Sequence, residues 1–190
     1  MTRPRIAILI GTTRQGRFAD QPARWLMEMA GQRDDADYDL LDLRDFPLPF
    51  FDEPASPMFV PPADPVAQRW AQTLERYDGF VIIAAEYNHS MSGVLKNALD
   101  YAYREFNRKA VAFAGYGGVG AARAIEQLRL VCVELQMAPV KAAVHMNMPE
   151  FLGIWREGKS FDDYPHLAQA ANTMFDDLNW WTRALKVARP

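Results

Sequence analysis

The residues best suited to chemistry follow the first apolar run of the chain, in IAILIGTTRQGRFAD at residues 6–20. Five apolar residues are followed there by glycines, two threonine hydroxyls and two guanidinium groups. A glycine lets the backbone turn and approach a ligand closely, and hydroxyl and guanidinium groups donate hydrogen bonds to oxyanions. The stretch therefore predicts an anion site suited to a dianionic monophosphate. The candidate ligand residues here are Gly11, Thr12, Thr13, Arg14, Arg17 and Phe18.

The start of the next helix is expected to add to this anion site. Asp20 and Pro22 indicate a helix entry with Asp20 as its cap, and free N–H groups at a helix start carry a partial positive charge. The Walker pattern G-x-x-x-x-G-K-[ST] is absent and the first lysine is Lys96, so a nucleoside triphosphate is disfavoured. The alternative is that both arginines are solvated loop charges and that the threonines only cap the helix.

A second group of candidates lies in EYNHSMSG at residues 86–93, after the apolar run GFVIIAA. Tyr87 offers an aromatic wall and Asn88 an amide, while backbone N–H groups can meet the carbonyls of a flat heterocycle. Two roles stay open for Glu86: it contacts the ligand, or it forms a salt bridge or a bond to nearby backbone. His89 has no carboxylate or nucleophile at a fixed spacing and is interpreted as incidental. Ser92 or Ser90 is expected to cap a helix that begins near Gly93.

The third group is GYGGVG at residues 115–120, which matches G-x-G-x-x-G. The match is weak evidence for a dinucleotide, because the run follows a late strand and no acidic residue ends the next strand. Its glycines still allow backbone to approach a planar ring, and a helix from about Val119 is expected to direct N–H dipoles at negative charge. The candidates are Glu86, Tyr87 and Asn88 from the second group, with Ala85 at the end of the preceding apolar run, and Gly115, Tyr116, Gly117 and Gly118 from the third.

No metal site or catalytic acid, base or nucleophile is predicted. Cys132 lies within a helical pattern and is interpreted as a small core residue. His145 and His166 show no ligand spacing. The chain has glycines, hydroxyls and arginines where a hydrolase would have a nucleophile and its base.

The elements that must position these loops are five short strands alternating with helices. The strand-like runs are residues 6–10, 38–43, 79–85, 109–115 and 138–146. Their apolar residues are mostly continuous, which is typical of a parallel sheet covered on both faces. Five strands and five helices in 190 residues favour an α/β, flavodoxin-like, three-layer doubly wound sandwich with strand order 2-1-3-4-5. The prediction is one domain over residues 1–190.

Two further segments have distinctive patterns. The last helix is expected from about Asp163 to Leu185, and we interpret its apolar stripe as packing on the sheet. The stripe is Leu167, Ala171, Met174, Leu178, Trp181 and Leu185. Residues 44–65 contain seven of the thirteen prolines and four phenylalanines, so they cannot form a helix or central strand. That segment is either a lid or partner-facing loop, or a stiff surface crossover.

Composition excludes several classes of protein. A net charge of −3 and a pI of about 5.6 argue against a nucleic-acid partner. The apolar run after Arg3 and Arg5 is too short for a signal peptide, and no stretch approaches the ~20 apolar residues of a membrane span. One cysteine allows no intramolecular disulfide, which suits a reducing compartment. We therefore expect a cytoplasmic protein with no membrane association.

The three loops, in this order, resemble the NADPH-dependent FMN reductase family of flavodoxin-like proteins over residues 5 to about 147. The likeness is strongest in GTTRQGR, EYNHSMSGVLKNALDYAYREF and GYGGVGAARAIEQLRLV. In that family the first loop, typically G-S-x-R, holds the FMN phosphate; Thr12 stands where serine is usual, and Arg14 matches. The family's P-E-Y-N turn lies against the isoalloxazine and reads Ala85 to Asn88 here, and the glycine loop also contacts the flavin. The resemblance implies a homodimer or homotetramer with flavin sites at subunit boundaries.

The resemblance also implies an activity. Bound FMN would take a hydride from NADPH or NADH at its N5 and pass electrons to a small-molecule acceptor. That acceptor could be a flavin, a quinone, an azo or nitro compound, or a metal oxyanion such as chromate. Two alternatives stay open: a flavodoxin-like electron carrier without NAD(P)H turnover, and a scaffold or regulatory protein that binds no flavin.

Overall fold

A single parallel sheet of five strands forms the centre of the computed structural model, which describes residues 2–189. The strand order is β2-β1-β3-β4-β5, and every neighbouring pair is parallel. The strands are β1 (Arg5–Ile10), β2 (Asp37–Asp42), β3 (Gly79–Ala85), β4 (Ala110–Tyr116) and β5 (Ala138–Met146). The predicted fold class and strand order are confirmed. Because the order reverses between β1 and β3, the loops after these strands flank the crevice where such sheets bind ligands.

Helices cover both faces of the sheet, which explains why the strand-forming runs are continuously apolar. All residues of β3 and β4 are buried, whereas the edge strand β2 is mostly partly buried, with only Leu41 fully buried. One apolar core lies between the sheet and α1 and α6, and the other between the sheet and α2, α3 and α4. The helices are α1 (Asp20–Gly31), α2 (Pro65–Glu75), α3 (Gly93–Asp100), α4 (Ala122–Glu134), α5 (Met148–Arg156) and α6 (Pro165–Ala188).

The structure has six α-helices in residues 2–189, so the expectation of five was wrong. The additional helix is α5, nine residues long, which begins two residues after β5 ends. A helix of two and a half turns shows too little periodicity to be recognised from the sequence. Its position matters, because it lies at the carboxyl edge of the sheet.

The last helix runs over Pro165–Ala188, two residues later in its start than expected. Leu167, Met174 and Leu178 are buried as predicted. Trp181, which was predicted to lie in the same stripe, is 44% exposed. Near the carboxyl end of the helix, Thr182 is buried instead, so the buried face there differs from the predicted stripe.

The proline-rich segment crosses the surface without forming a helix or strand between the 3-10 turn Leu43–Asp45 and α2. Phe46, Leu48 and Phe51 pack on the second core, and Asn97 of α3 holds the segment by a hydrogen bond from Phe51 N to its Oδ1, 2.9 Å long. Phe50 is 88% exposed. The contacts therefore favour the stiff surface crossover, although the side chain of Phe50 remains exposed to solvent.

Within residues 2–189, no helix has both the length and the apolar composition that crossing a membrane requires.

Candidate functional site

A cleft of about 570 Å³ lies at the carboxyl edge of the sheet, at the point where the strand order reverses. Its walls are residues 14–18 after β1, residues 85–87 after β3, residues 116–118 after β4, and three residues of α5. Nine of the fourteen predicted ligand residues line it: Arg14, Arg17, Phe18, Ala85, Glu86, Tyr87, Tyr116, Gly117 and Gly118. The cleft volume is within the range of small-ligand sites in proteins.

The loop after β1 presents hydrogen-bond donors that have no protein partner. The backbone N–H groups of residues 12–16 make no hydrogen bond within residues 2–189. Thr12 is completely buried, and its Oγ1 makes no hydrogen bond of good geometry in that range, although the Tyr116 phenol lies close enough to Thr12 for the contact to act to lower the pKa of that phenol. Residues 14–16 are exposed, so their N–H groups are accessible to a ligand, and a row of such donors suits an anion.

The two arginines of this loop have different environments. Arg14 is exposed and makes no ion pair with any of the residues the structure describes. Arg17 has a side chain only 1% exposed, and it donates from Nε to Asp20 over 2.8 Å. Its Nη1 donates to Asp42 over 2.7 Å and also to the Thr12 carbonyl, and its Nη2 reaches both carboxylates. Arg14 is thus free for a ligand, whereas Arg17 clamps the loop and has no donor left over.

This clamp ties the loop to the end of β2. Burial lowers the pKa of the Arg17 guanidinium, but hydrogen bonds to Asp42 and Asp20 outweigh burial and raise it overall. Burial likewise acts to raise the pKa of Asp42, and the hydrogen bond from Arg17 brings it below its usual value. Asp42 also accepts from Arg44 N, and Arg44 Nη2 donates to the Arg14 carbonyl over 2.6 Å. The loop is therefore held in shape before a ligand arrives.

Asp20 was expected to cap α1, and this expectation was wrong. The N-cap is Ala19, which makes no side-chain hydrogen bond, and Asp20 is the first helical residue. The carboxylate of Asp20 is occupied by Arg17.

Gly11 serves packing rather than ligand approach. A Cβ at this position would lie 2.8 Å from the Ile83 carbonyl oxygen and 2.9 Å from Cδ2 of Leu95. The Gly11 carbonyl accepts a 2.5 Å hydrogen bond from Ser92, which also caps α3 by accepting from Leu95 N. The capping prediction for Ser92 is confirmed. Gly11 and the buried Thr12 lie beneath the cleft, while Thr13 borders a neighbouring hollow beside α3.

The loop after β3 forms a tight turn over Tyr87–Ser90. Tyr87 N donates to Ser90 O over 2.8 Å, and Ser90 N donates to Tyr87 O over 3.0 Å. Asn88 and His89 have φ values of 50° and 70°, which give a turn with two left-handed residues. Tyr87 lines the cleft, whereas Asn88 at the turn does not.

Glu86, whose role the sequence left open, forms an ion pair. Its side chain is 6% exposed and accepts from Arg123 Nε over 2.5 Å and from Arg123 N over 3.2 Å. Helix α4 begins at Ala122, not near Val119, because Ala121 takes a left-handed conformation with φ 57°. One of the first N–H groups of α4 thus binds Glu86 instead of pointing at a ligand.

The loop after β4 brings backbone into the cleft. Gly117 has a φ of 139°, which strongly favours glycine, and it lines the cleft beside Gly118. Gly115 lies below and is needed for packing, since a Cβ there would lie 2.5 Å from the Gly120 carbonyl oxygen. Burial raises the pKa of Tyr116 to about 12, so its phenol stays protonated at neutral pH.

Helix α5 contributes a wall that the sequence analysis missed. Phe151 and Trp155 stack with ring centroids 5.1 Å apart, and Phe151 packs edge-on against Phe18 at 4.9 Å. Arg156 also lines the cleft, with its guanidinium 4.6 Å from the Trp155 ring centroid. The sequence did contain a signal for this wall: Phe151 and Trp155 are four residues apart and follow closely after β5, which ends at the carboxyl edge of the sheet.

The remaining candidates behave as predicted or carry no ligand chemistry. Cys132 is completely buried, and burial raises its pKa to about 12, which makes it an inert core thiol. His145 Nδ1 lies 2.9 Å from the Gly120 carbonyl oxygen. Within residues 2–189 no group of three potential metal ligands occurs.

Fold and site together define a flavodoxin-like protein with a cleft at the carboxyl edge of its sheet, where the loop after β1 presents unpartnered N–H groups within residues 2–189. The chain belongs to the NADPH-dependent FMN reductase family, whose sequence profile matches residues 4–149. This membership confirms the resemblance, the oxidoreductase class, and FMN with NAD(P)H as the family's cofactors.

Individual relatives agree with this membership. An NAD(P)H-dependent FMN reductase of Schizosaccharomyces pombe is 33% identical over 147 residues, which make up 74% of this chain and 72% of the relative. A 2-hydroxy-1,4-benzoquinone reductase of a Burkholderia species is 33% identical over 153 residues, or 77% of this chain and 76% of the relative.

A solved structure shows the same architecture. FerB, a flavoenzyme NAD(P)H:(acceptor) oxidoreductase from Paracoccus denitrificans, superposes with a TM-score of 0.72 at 22% identity, covering 95% of this chain and 98% of its own. At that identity the likeness concerns the fold alone.

Proposed function

We propose that this protein binds FMN in the cleft and uses NAD(P)H to reduce a quinone by two electrons. The observation that carries the proposal is the loop after β1, where the N–H groups of residues 12–16 have no hydrogen-bond partner within residues 2–189 and the exposed Arg14 makes no ion pair there. The FMN phosphate is a dianion whose oxygens accept such hydrogen bonds, so the residues present fit the cofactor.

The phosphate end of the site would consist of this loop and Arg14. Arg14 supplies a charge that is not already neutralised, whereas Arg17 fixes the loop from beneath. Backbone donors held in place lose little freedom on binding, which raises affinity.

The ring end of the site would consist of Ala85 and Tyr87 after β3 and Gly117 and Gly118 after the neighbouring strand β4, all of which line the cleft. The absence of side chains at the two glycines lets a flat ring approach backbone N–H groups closely. Phe151 and Trp155 cover the cleft from α5 and keep water from part of it.

FMN, when bound, supplies the redox chemistry by accepting a hydride from NAD(P)H at N5 and passing two electrons to the acceptor. The protein's contribution is to bind, orient and shield. Glu86 is occupied by Arg123, and His89 Nε2 lies 2.9 Å from Arg123 Nη1, so both side chains are engaged in the protein's own contacts. Neither is needed as a general acid or base.

A quinone is proposed as the acceptor because relatives that are 31–33% identical are named quinone or benzoquinone reductases. The aromatic side chains that line the cleft also suit a planar acceptor. Flavins, azo or nitro compounds and metal oxyanions are alternative acceptors that the same assay can compare.

The test is an anaerobic absorbance experiment with the FMN-loaded protein. Addition of NADPH should bleach the flavin band, and addition of 1,4-benzoquinone should restore it at a rate compatible with turnover. NADH is tested in parallel. A yellow protein that NADPH does not bleach would instead be an electron carrier, and a preparation that takes up no FMN would overturn the proposal.

We further propose that residues 1–190 are one domain that forms a homodimer or homotetramer in the cytoplasm. Exposed apolar residues such as Phe50 and Phe59, 88% and 70% exposed, support self-association. Light scattering on a size-exclusion column measures the mass, and a monomer at micromolar concentration would contradict the oligomer.

A further inference from the structure

Two guanidinium groups in the cleft have no anionic partner among residues 2–189. Among the charged residues lining it, Arg17 is paired with Asp20 and Asp42, and Glu86 is paired with Arg123. The remaining charges belong to Arg14 and Arg156, and neither makes an ion pair within residues 2–189. A protein of net charge −3 thus keeps an unneutralised pair of positive charges at its site.

Arg156 is held in place although it has no ion-pair partner. It is the last residue of α5, and its guanidinium lies 4.6 Å from the centroid of the Trp155 ring. Trp155 in turn stacks on Phe151, which packs against Phe18 at the β1 loop. The neighbouring Glu157 is directed to Lys159, with 4.0 Å between Oε2 and Nζ. A stacked guanidinium keeps its edge donors free for an oxyanion.

The anion at Arg156 should be a second one, distinct from the flavin tail. The flavin phosphate would already be bound by the free N–H groups of residues 12–16, the Thr12 hydroxyl and Arg14. The proposed reaction needs one more anionic ligand, the nicotinamide dinucleotide, which has a pyrophosphate and, in NADPH, a 2′-phosphate. Resting on the proposed function, we propose that Arg156, stacked on Trp155, binds a phosphate group of this dinucleotide.

The test compares ligand binding, not turnover alone. Calorimetry measures NADP⁺ and NAD⁺ binding to the FMN-loaded protein, and a fluorescence titration measures FMN binding to the apoprotein. Arg156→Ala should weaken NADP⁺ by about 10- to 100-fold, the range of a lost charged hydrogen bond, and leave the Kd of FMN within about 2-fold. Arg156→Lys keeps the charge but loses the stacked guanidinium, so it should restore only part of the affinity. A loss confined to NADP⁺ identifies the 2′-phosphate, and an equal loss for NAD⁺ identifies the pyrophosphate.

The matched control is Arg76→Ala, which removes the same exposed side chain at the carboxyl end of α2, outside the cleft. It should change neither affinity, and near-ultraviolet circular dichroism should show that all variants fold. Weaker FMN binding by Arg156→Ala, with or without a change in NADP⁺ binding, would overturn the inference, as would unchanged binding of both. Wild-type protein that binds FMN but neither NADP⁺ nor NAD⁺ would overturn the proposed function together with this inference.

Discussion

The contrast between the two arginines of the β1 loop yields a sharp prediction. Arg17→Met removes the guanidinium from beneath the loop while keeping a similar side-chain length. It leaves the Thr12 carbonyl without its donor and leaves Asp20 and Asp42 without their shared partner. Arg14→Met is the matched control, because Arg14 is exposed and makes no ion pair within residues 2–189.

The magnitude follows from the burial of these groups. Breaking a fully buried ion pair costs about 3 to 5 kcal/mol. The carboxylate side chains are 40% exposed at Asp20 and 24% at Asp42, so water replaces part of what is lost. We therefore expect Arg17→Met to lower the free energy of unfolding of the apoprotein by about 2 to 3 kcal/mol. Arg14→Met should lower it by less than about 0.5 kcal/mol, as is usual for a surface substitution.

Urea unfolding of the two apoproteins measures the stability difference, and FMN titrations measure binding. Arg14→Met should weaken FMN by about 1.5 to 3 kcal/mol because it removes a direct charged hydrogen bond. Unchanged stability in Arg17→Met, together with a loss of FMN affinity like that of Arg14→Met, would refute the clamp and make Arg17 a direct phosphate ligand.

The clamp also has a defined pH dependence. The pKa of Asp42 is lowered in the folded protein, so its contribution to stability is fully present above its unfolded pKa of about 3.9 and is lost as the pH falls through the folded value. The stability difference between wild type and Arg17→Met should therefore shrink when unfolding is measured near pH 3 rather than pH 6. A difference that stays constant over this range would contradict the ion-pair explanation.

Three further predictions concern the stability of the fold. Ser92→Ala removes the cap on Leu95 N and should lower the free energy of unfolding by about 1 to 2 kcal/mol, measured in urea; no loss would show that the cap is dispensable. Gly115→Ala forces a Cβ to within 2.5 Å of the Gly120 carbonyl oxygen and should cost about 1 to 3 kcal/mol by the same method, whereas a neutral result would mean that the loop shifts freely. Burial lowers the pKa of Lys109 to about 8. Its charge therefore lowers the free energy of unfolding by the full amount below pH 8, and this loss is relieved as the pH rises towards the unfolded pKa near 10.4. Wild type should gain about 2 kcal/mol over Lys109→Met between pH 7 and pH 10, and parallel pH profiles would contradict that.

The sheet could be predicted from the sequence because its signal is local. β3 and β4 are runs of seven residues buried throughout, and such runs between helical segments specify a covered parallel sheet. The positions of the three binding loops follow from the same reasoning, since the carboxyl ends of parallel strands meet at one edge.

The partners of individual charges could not be predicted in the same way. Asp42 lies 25 residues after Arg17, and only the pairing of β2 with β1 brings them together. Glu86 and Arg123 are likewise brought together by the pairing of β3 and β4. Residue types that suit a ligand also suit each other, so spacing alone could not tell a phosphate ligand from a clamp.

Local conformation accounts for the other differences. Ala121 takes a left-handed conformation that its residue type does not indicate, and this delays the start of α4. Helix α5 is too short for its periodicity to be recognised, and so Phe151, Trp155 and Arg156 were not identified as part of the site.

The central claim is that the loop after β1 binds a phosphate dianion. Its most direct test compares the dissociation constants of FMN and riboflavin for the apoprotein, since the two ligands differ only in the phosphate. Several charged hydrogen bonds to the phosphate predict that FMN binds at least about 100-fold more tightly than riboflavin, and that raising the salt concentration narrows the gap. Equal affinities for the two flavins would contradict the account.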